Sequence, residues 1–90
     1  MPDMLYTKQG RALRVDGDDL ISHAGHVARL RGGFAFAPDG RYVGTVVGDR
    51  LIYRTTDSAH IASPFVRRAT AGHAYADRVT TAAWGDEPPI

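Results

Sequence analysis

Cysteine is absent from this 90-residue sequence, which excludes a disulfide framework, a thiolate metal centre and any cysteine nucleophile. Stability therefore has to come from backbone hydrogen bonds, packing and association. Also missing is any uninterrupted apolar run near the ~18 residues that a membrane-spanning helix needs. The opening Met1 to Lys8 carries no apolar core of a secretion signal. A soluble, cytoplasmic protein with no membrane partner is the expectation. An excess of one charge is lacking too. Eleven Lys and Arg stand against ten Asp and Glu, so the electrostatic footprint of a general nucleic-acid binder is not there, and no nucleic-acid partner is expected. The cations are Lys8 and ten arginines; with abundant alanine, this is the usage of high-GC bacterial coding rather than a binding signal. A chain this short buries only roughly 60–65% of its unfolded surface and supports one core, hence one domain.

What is present is a glycine period. Gly10, Gly25 and Gly40 are 15 residues apart, and each is preceded four positions earlier by a large apolar residue, Tyr6, Ile21 and Phe36. Five positions before the glycine stand Leu5, Leu20 and Ala35, and three after it Leu13, Ala28 and Val43. Arg14 and Arg29 share the fourth position after the glycine, where Gly44 is the exception. A second turn closes each unit at Asp16-Gly17, Gly32-Gly33 and Gly48-Asp49, dipeptides that accept the positive φ of tight hairpins. Pro38-Asp39-Gly40 is a turn by mechanism: proline fixes φ, aspartate caps its own backbone, and glycine takes the left-handed conformation. Phe34 to Ala37, Arg41 to Val47 and Leu51 to Tyr53 are short and rich in aromatic and β-branched residues, which favours strand.

A fourth, degraded unit aligns Leu51, Ile52 and Tyr53 with Phe34, Ala35 and Phe36, with Asp57 or Ser58 in place of the turn glycine. Units that cannot each bury an apolar face must share a core. The predicted fold is all-β: about four hairpins of roughly 15 residues around a pseudo-fourfold axis over residues 1–63, followed by an irregular extension, 64–90. In that extension Val79 to Trp84 reads as strand or short helix, and Trp84 to Ile90 as extended. Gly10, Gly25 and Gly40 are expected at equivalent turns, at least two with positive φ, and Tyr6, Ile21, Phe36 and Tyr53 as equivalent, mostly buried core positions.

This pattern of apolar pair, turn glycine, strand and Gly/Asp turn resembles the small bacterial 4-fold β-flower proteins over residues 5–63, most of all in the stretch Gly40 to Arg54; Trp84-Gly85-Asp86-Glu87-Pro88 is also similar to such proteins. The resemblance implies a hairpin repeated about a pseudo-fourfold axis and brings no reaction, cofactor or catalytic residue. The alternative resemblance is to tyrosine-aspartate repeat shells or WG-type repeats.

Candidate sites are few. His23 and His26 flank Gly25 and would need His60, His73 or a carboxylate to hold Zn²⁺; an exposed polar turn is the preferred reading, and no metal is expected. Asp16-Gly17-Asp18-Asp19 lacks the calcium-loop order and has Val27 where a bidentate glutamate would stand, so it is read as a hairpin turn. Ser22, Ser58 and Ser63 lie in no nucleophile elbow; Asp57, Ser58 and His60 are the one Ser/Asp/His neighbourhood, and triads are made in space rather than in sequence. No cofactor motif occurs. Arg14, Arg29 and Arg41, with other arginines, would form a face suited to phosphate or carboxylate, which Asp16, Asp18, Asp39 and Asp49 would partly neutralise. The expected function is a non-enzymatic interaction or scaffold module; a small-molecule or anion-binding protein using the arginine face comes second, and a hydrolase with a spatially assembled site third. A homodimer is expected, with a protein partner as the other association. Phe65, Val66, Tyr75, Val79 and Trp84 cover an open end or meet a second chain, and either arrangement buries Trp84.

Overall fold

The structure, a computed structural model, describes residues 3–90. Alternating apolar and polar residues, interrupted by Gly-containing pairs, give seven short strands: β1 Met4–Thr7, β2 Ala12–Asp16, β3 Asp19–Ser22, β4 Gly25–Arg31, β5 Phe34–Phe36, β6 Tyr42–Val47 and β7 Arg50–Ile52. Consecutive strands pair antiparallel, and β7 returns to β1 in parallel through Tyr6↔Arg50 and Thr7↔Leu51, closing a barrel. Closure leaves no open sheet edge. Among the described residues the only helical element is a 3₁₀ turn, Thr55–Asp57.

Gly32-Gly33 and Gly48-Asp49 form two-residue loops as expected, and the first loop is Gly17-Asp18, one residue on from the Asp16-Gly17 turn expected, since Asp16 pairs Asp19, Arg31 pairs Phe34 and Val47 pairs Arg50. Gly10 and Gly40 lie in two of the other three connections, and Gly25 opens β4 directly after the third, with φ of 94°, 87° and 113°. In two of them the glycine N–H donates to the carbonyl three residues back, Gly10 to Thr7 and Gly40 to Ala37.

The expected fourth hairpin is not completed: seven strands form, and β7 has no following partner strand. Between Arg54 and Ile61 the chain has no turn glycine and a run of polar residues. Asp57 ties back to β6, accepting from Thr45 Oγ1 at 2.7 Å, and the segment winds into the 3₁₀ turn.

The barrel interior holds Leu5, Leu20, Ala35 and Leu51 from the odd strands and Leu13, Ala28 and Val43 from the even ones, with Leu30 and Ala37 beside them. The large apolar residues one step later point to the opposite face. They are Tyr6, Ile21 and Phe36; Ile21 and Phe36 are buried and Tyr6 half-buried. The residue expected as their fourth equivalent, Tyr53, is also half-buried, but Leu51 takes the interior position, so buried Ile52 follows it as Ile21 follows Leu20. The fourth unit is thus offset by one residue from the alignment on Tyr53. These outer positions lie outside the central cluster.

The segment 61–90 forms neither strand nor helix over Val79 to Trp84 or elsewhere, beyond isolated bridges at Ile61 and Asp86. It is an extended belt crossing the barrel's turns in reverse order. Ala62 N–H donates to Gly40 O and Phe65 N–H to Pro38 O; His73 N–H donates to Ser22 O; Arg78 N–H donates to Gly10 O and Thr81 N–H to Lys8 O; Asp86 and Tyr53 exchange two hydrogen bonds. A Cβ on Gly10 or Gly40 would overlap the carbonyl of Arg78 or Ala62, and one on Gly25 would lie 2.9 Å from Thr70 O. Ala62, Thr70, Arg78 and Asp86 are therefore stations eight residues apart that serve turns 15 apart. Ile90 finishes against the core cluster, its carbonyl bonded by Arg11.

Candidate functional site

Side chains fasten the belt most strongly at the second unit. Asp19, buried at the start of β3, accepts from Arg29 Nε (3.2 Å) on the paired strand and from Arg68 Nη1 (2.9 Å) on the belt, and lies 3.2 Å from His26 Nε2. Burial by itself would raise the Asp19 pKa, but the hydrogen bonds from Arg68 and Arg29 and the nearby positive charge hold it below the usual carboxylate range. His26 is 1% exposed; its Nδ1 accepts the Arg68 backbone N–H (2.8 Å), which leaves the proton on Nε2, 3.0 Å from Ala28 O. Phe65 stacks on His26 and lies under the Arg29 guanidinium, 4.4 Å away. Arg68 also reaches Asp16. The cluster consumes its own charges and acts as a clamp.

Arg14, Arg29 and Arg41 do not come together as one free cationic face. Arg14 pairs with Asp16 at 3.6 Å and Arg29 with Asp19. Arg41 is exposed, and among the described residues its side chain has no ionic partner. With Arg67, Val27, Pro38 and Ile90 it borders a hollow of about 210 Å³ where the belt ends.

His23 and His26 diverge. His23 is exposed, with Nε2 3.1 Å from Tyr75 O, and its ring neighbours that of His73 at 4.7 Å. His73 Nε2 is buried without a hydrogen-bond partner, and Nδ1 accepts the Tyr75 N–H. Burial, then the adjacent His23, lowers the His73 pKa; the backbone at Ala12 and Ile21 acts in the opposite sense, and Arg14 adds to the lowering. Among the described residues no three His, Cys, Asp or Glu side chains converge as metal ligands. Asp16 and Asp19 stand opposite each other across the Gly17-Asp18 loop, their carboxylates held by arginines.

Asp57, Ser58 and His60 do not assemble a triad. Ser58 Oγ donates to Thr55 O, His60 Nδ1 meets the Asp57 backbone carbonyl, and the Asp57 carboxylate faces Thr45.

The belt also brings together what its sequence did not announce. Trp84, expected to be buried, is 57% exposed. It borders an open cavity of about 490 Å³ with Lys8, Tyr53, Thr55 and Asp86. No side-chain identity recurs at the stations Ala62, Thr70, Arg78 and Asp86: Ala62, Arg78 and Asp86 are bonded to the barrel through backbone groups and Thr70 lies against Gly25 through its carbonyl, so the eight-residue spacing is silent in the sequence. Comparison with known protein families, curated proteins and solved structures gives no match to this chain.

Proposed function

We propose that this chain is a non-enzymatic interaction module that self-associates as a homodimer through the outward side chains of its belt. One observation carries the reading: among the described residues the exposed large apolar ones, Ile61, Val66, Tyr75, Val79 and Trp84, all lie on the belt, with Val66 89% and Val79 80% exposed. Phe65, Arg67, Arg68 and Arg78 turn their side chains to the barrel, whereas these five project outward and are left to meet something else. Apolar surface of this kind gains roughly 25 cal/mol per Å² when a partner covers it. The architecture that supports this role is a pseudo-fourfold flower whose fourth petal is reduced to β7. Its support is the recurrence of Leu5, Leu20, Ala35 and Leu51 inside the barrel and the oblate dimensions, 32 × 32 × 21 Å.

Light scattering across a dilution series tests the reading. The full chain is expected to pass from dimer to monomer mass on dilution, and the Val66→Asp/Val79→Asp double variant to remain monomeric with an unchanged melting transition. A full chain of constant monomer mass at every concentration rejects self-association.

A second reading, anion binding, rests on Arg41 and Arg67 at the 210 Å³ hollow. Arg14 and Arg29 are already engaged by Asp16 and Asp19, so the proposal narrows to Arg41. Chemical-shift perturbation of Arg41 by inorganic phosphate at constant ionic strength supports it, and unmoved resonances reject it.

A further inference from the structure

At Gly10, Gly25 and Gly40 the belt lies so close that an added Cβ would strike its backbone carbonyls. At the fourth crossing the turn glycine is missing and the 3₁₀ turn takes its place. There the belt meets the barrel through the paired Tyr53 and Asp86, with Gly85 against Ile52, and a cavity of about 490 Å³ bordered by Tyr53, Thr55 and Trp84 opens beside the contact. Its size falls within the range of small-molecule sites, roughly 300–1,000 Å³.

The aromatic wall of this cavity is exposed and yet held. Lys8 Nζ donates to Ala83 O (3.1 Å) and Gly85 O (2.6 Å), Arg54 Nε donates to Trp84 O (3.0 Å), and Asp86 exchanges both backbone hydrogen bonds with Tyr53. Every residue from Ala83 to Asp86 is thereby fixed. The Arg54 guanidinium lies 5.0 Å from the indole centroid and backs one face of the ring. Arg54 is itself tied through its N–H to Tyr42 Oη, which meets Thr45 Oγ1 and, through it, Asp57. An aromatic surface immobilised in advance binds without the cost of ordering it.

We propose that this cavity is a carbohydrate-binding site, with Trp84 as the stacking platform. Lys8 and Arg54 oppose a cationic ligand. Asp86 opposes an anion, and the Lys8 ammonium is already occupied by two carbonyl groups. The Asp86 carboxylate and the Thr55 and Tyr53 hydroxyls make no hydrogen bond among the described residues. A neutral ligand with an apolar ring face and many hydroxyl groups matches this set: its C–H face covers the indole, and its hydroxyls donate to Asp86 and exchange hydrogen bonds with Thr55 and Tyr53. The site shares Trp84 with the belt surface proposed for self-association, while its other walls, Lys8, Tyr53, Thr55 and Asp86, are separate from Val66 and Val79.

Trp84 is the only tryptophan in the chain, so its fluorescence reports on the site. The full-length chain, at a concentration where light scattering reads one species, is titrated with maltose, cellobiose and N,N′-diacetylchitobiose, and separately with tetramethylammonium chloride and sodium phosphate. A saturable change in emission is expected with at least one disaccharide and none with either salt. Asp86→Ala, whose backbone pairing with Tyr53 needs no side chain, is expected to weaken the binding about tenfold or more; Thr55→Val serves as a second, independent variant, with a smaller loss. Emission unmoved by all three sugars, or moved only by tetramethylammonium or phosphate, overturns the proposal. Wild-type affinity in both folded variants overturns it as well.

Discussion

Gly40 and Gly48 both have a left-handed backbone, with φ of 87° and 61°, and differ in what lies beyond it: the Ala62 carbonyl covers Gly40, whereas nothing approaches within 4 Å of Gly48. Alanine at Gly48 is expected to cost about 1–2 kcal/mol, the strain of a side chain in that region. At Gly40 the same substitution should cost more and should also expose the Ala62 amide to hydrogen exchange, which the Gly48 variant leaves protected. Two titrations belong to this scale. The His73 pKa is lowered in the folded chain, so the unfolded chain takes up the proton first as pH falls. Stability from this group is full above about 6.5, declines as pH drops through the folded value, and then levels off. Asp19 is also lowered; its contribution is full above about 3.9 and is lost as pH falls through its folded value, farther into acid. Urea midpoints between pH 8 and 3 should show the His73 decline and the onset of the Asp19 one in the native chain, and His73→Gln should remove only the upper one. The turn glycines were legible in the sequence because a positive φ writes itself as glycine. The burial of His26 was not, since it depends on Arg68 and Phe65, 42 and 39 positions away in the chain.

Hairpins and belt differ in how sequence encodes them. A two-residue loop such as Gly32-Gly33 depends on local backbone freedom, so its position and the strand that follows it, β5, could be read directly. Which face is interior was not read: the shared core was expected at Tyr6, Ile21, Phe36 and Tyr53, whereas the barrel encloses Leu5, Leu20, Ala35 and Leu51. The fourth unit was legible only to Leu51 and Ile52; beyond them the 3₁₀ turn is dictated by Asp57 reaching Thr45, a contact between elements. The belt was the least legible, because a segment held by carbonyls and amides imposes almost no side-chain identity. Only its clamps show as residue types: Arg68 with Asp16 and Asp19, and Arg78 with Asp49. Replacing Arg68 by Met is expected to raise hydrogen exchange first at His73 and Phe65, the amides bonded to the turns on either side, while β2 and β3 stay protected. Uniform exchange across belt and barrel would mean that the two open as one unit.

As a whole molecule the barrel is closed by its least local contacts, β1 with β7, where Thr7 pairs Leu51. Leu51 is fully buried in the central cluster, so Leu51→Ala is expected to cost about 2–5 kcal/mol, measured by urea denaturation with the slope checked for two-state behaviour. All-β pairing at such separations is also slow to form. The direction of the belt adds a consequence for biosynthesis. Lys8 and Gly10 leave the ribosome early, yet their partners Thr81 and Arg78 are among the later residues to emerge. At about 5–20 residues per second, residues 62–90 take roughly 1–6 s to be made. For that interval the outer faces of Phe36, beside Ala62 to Phe65, and of Ile52, beside Gly85, stay wet on the nascent chain, and a barrel formed during synthesis waits for the belt to be made before it is fastened.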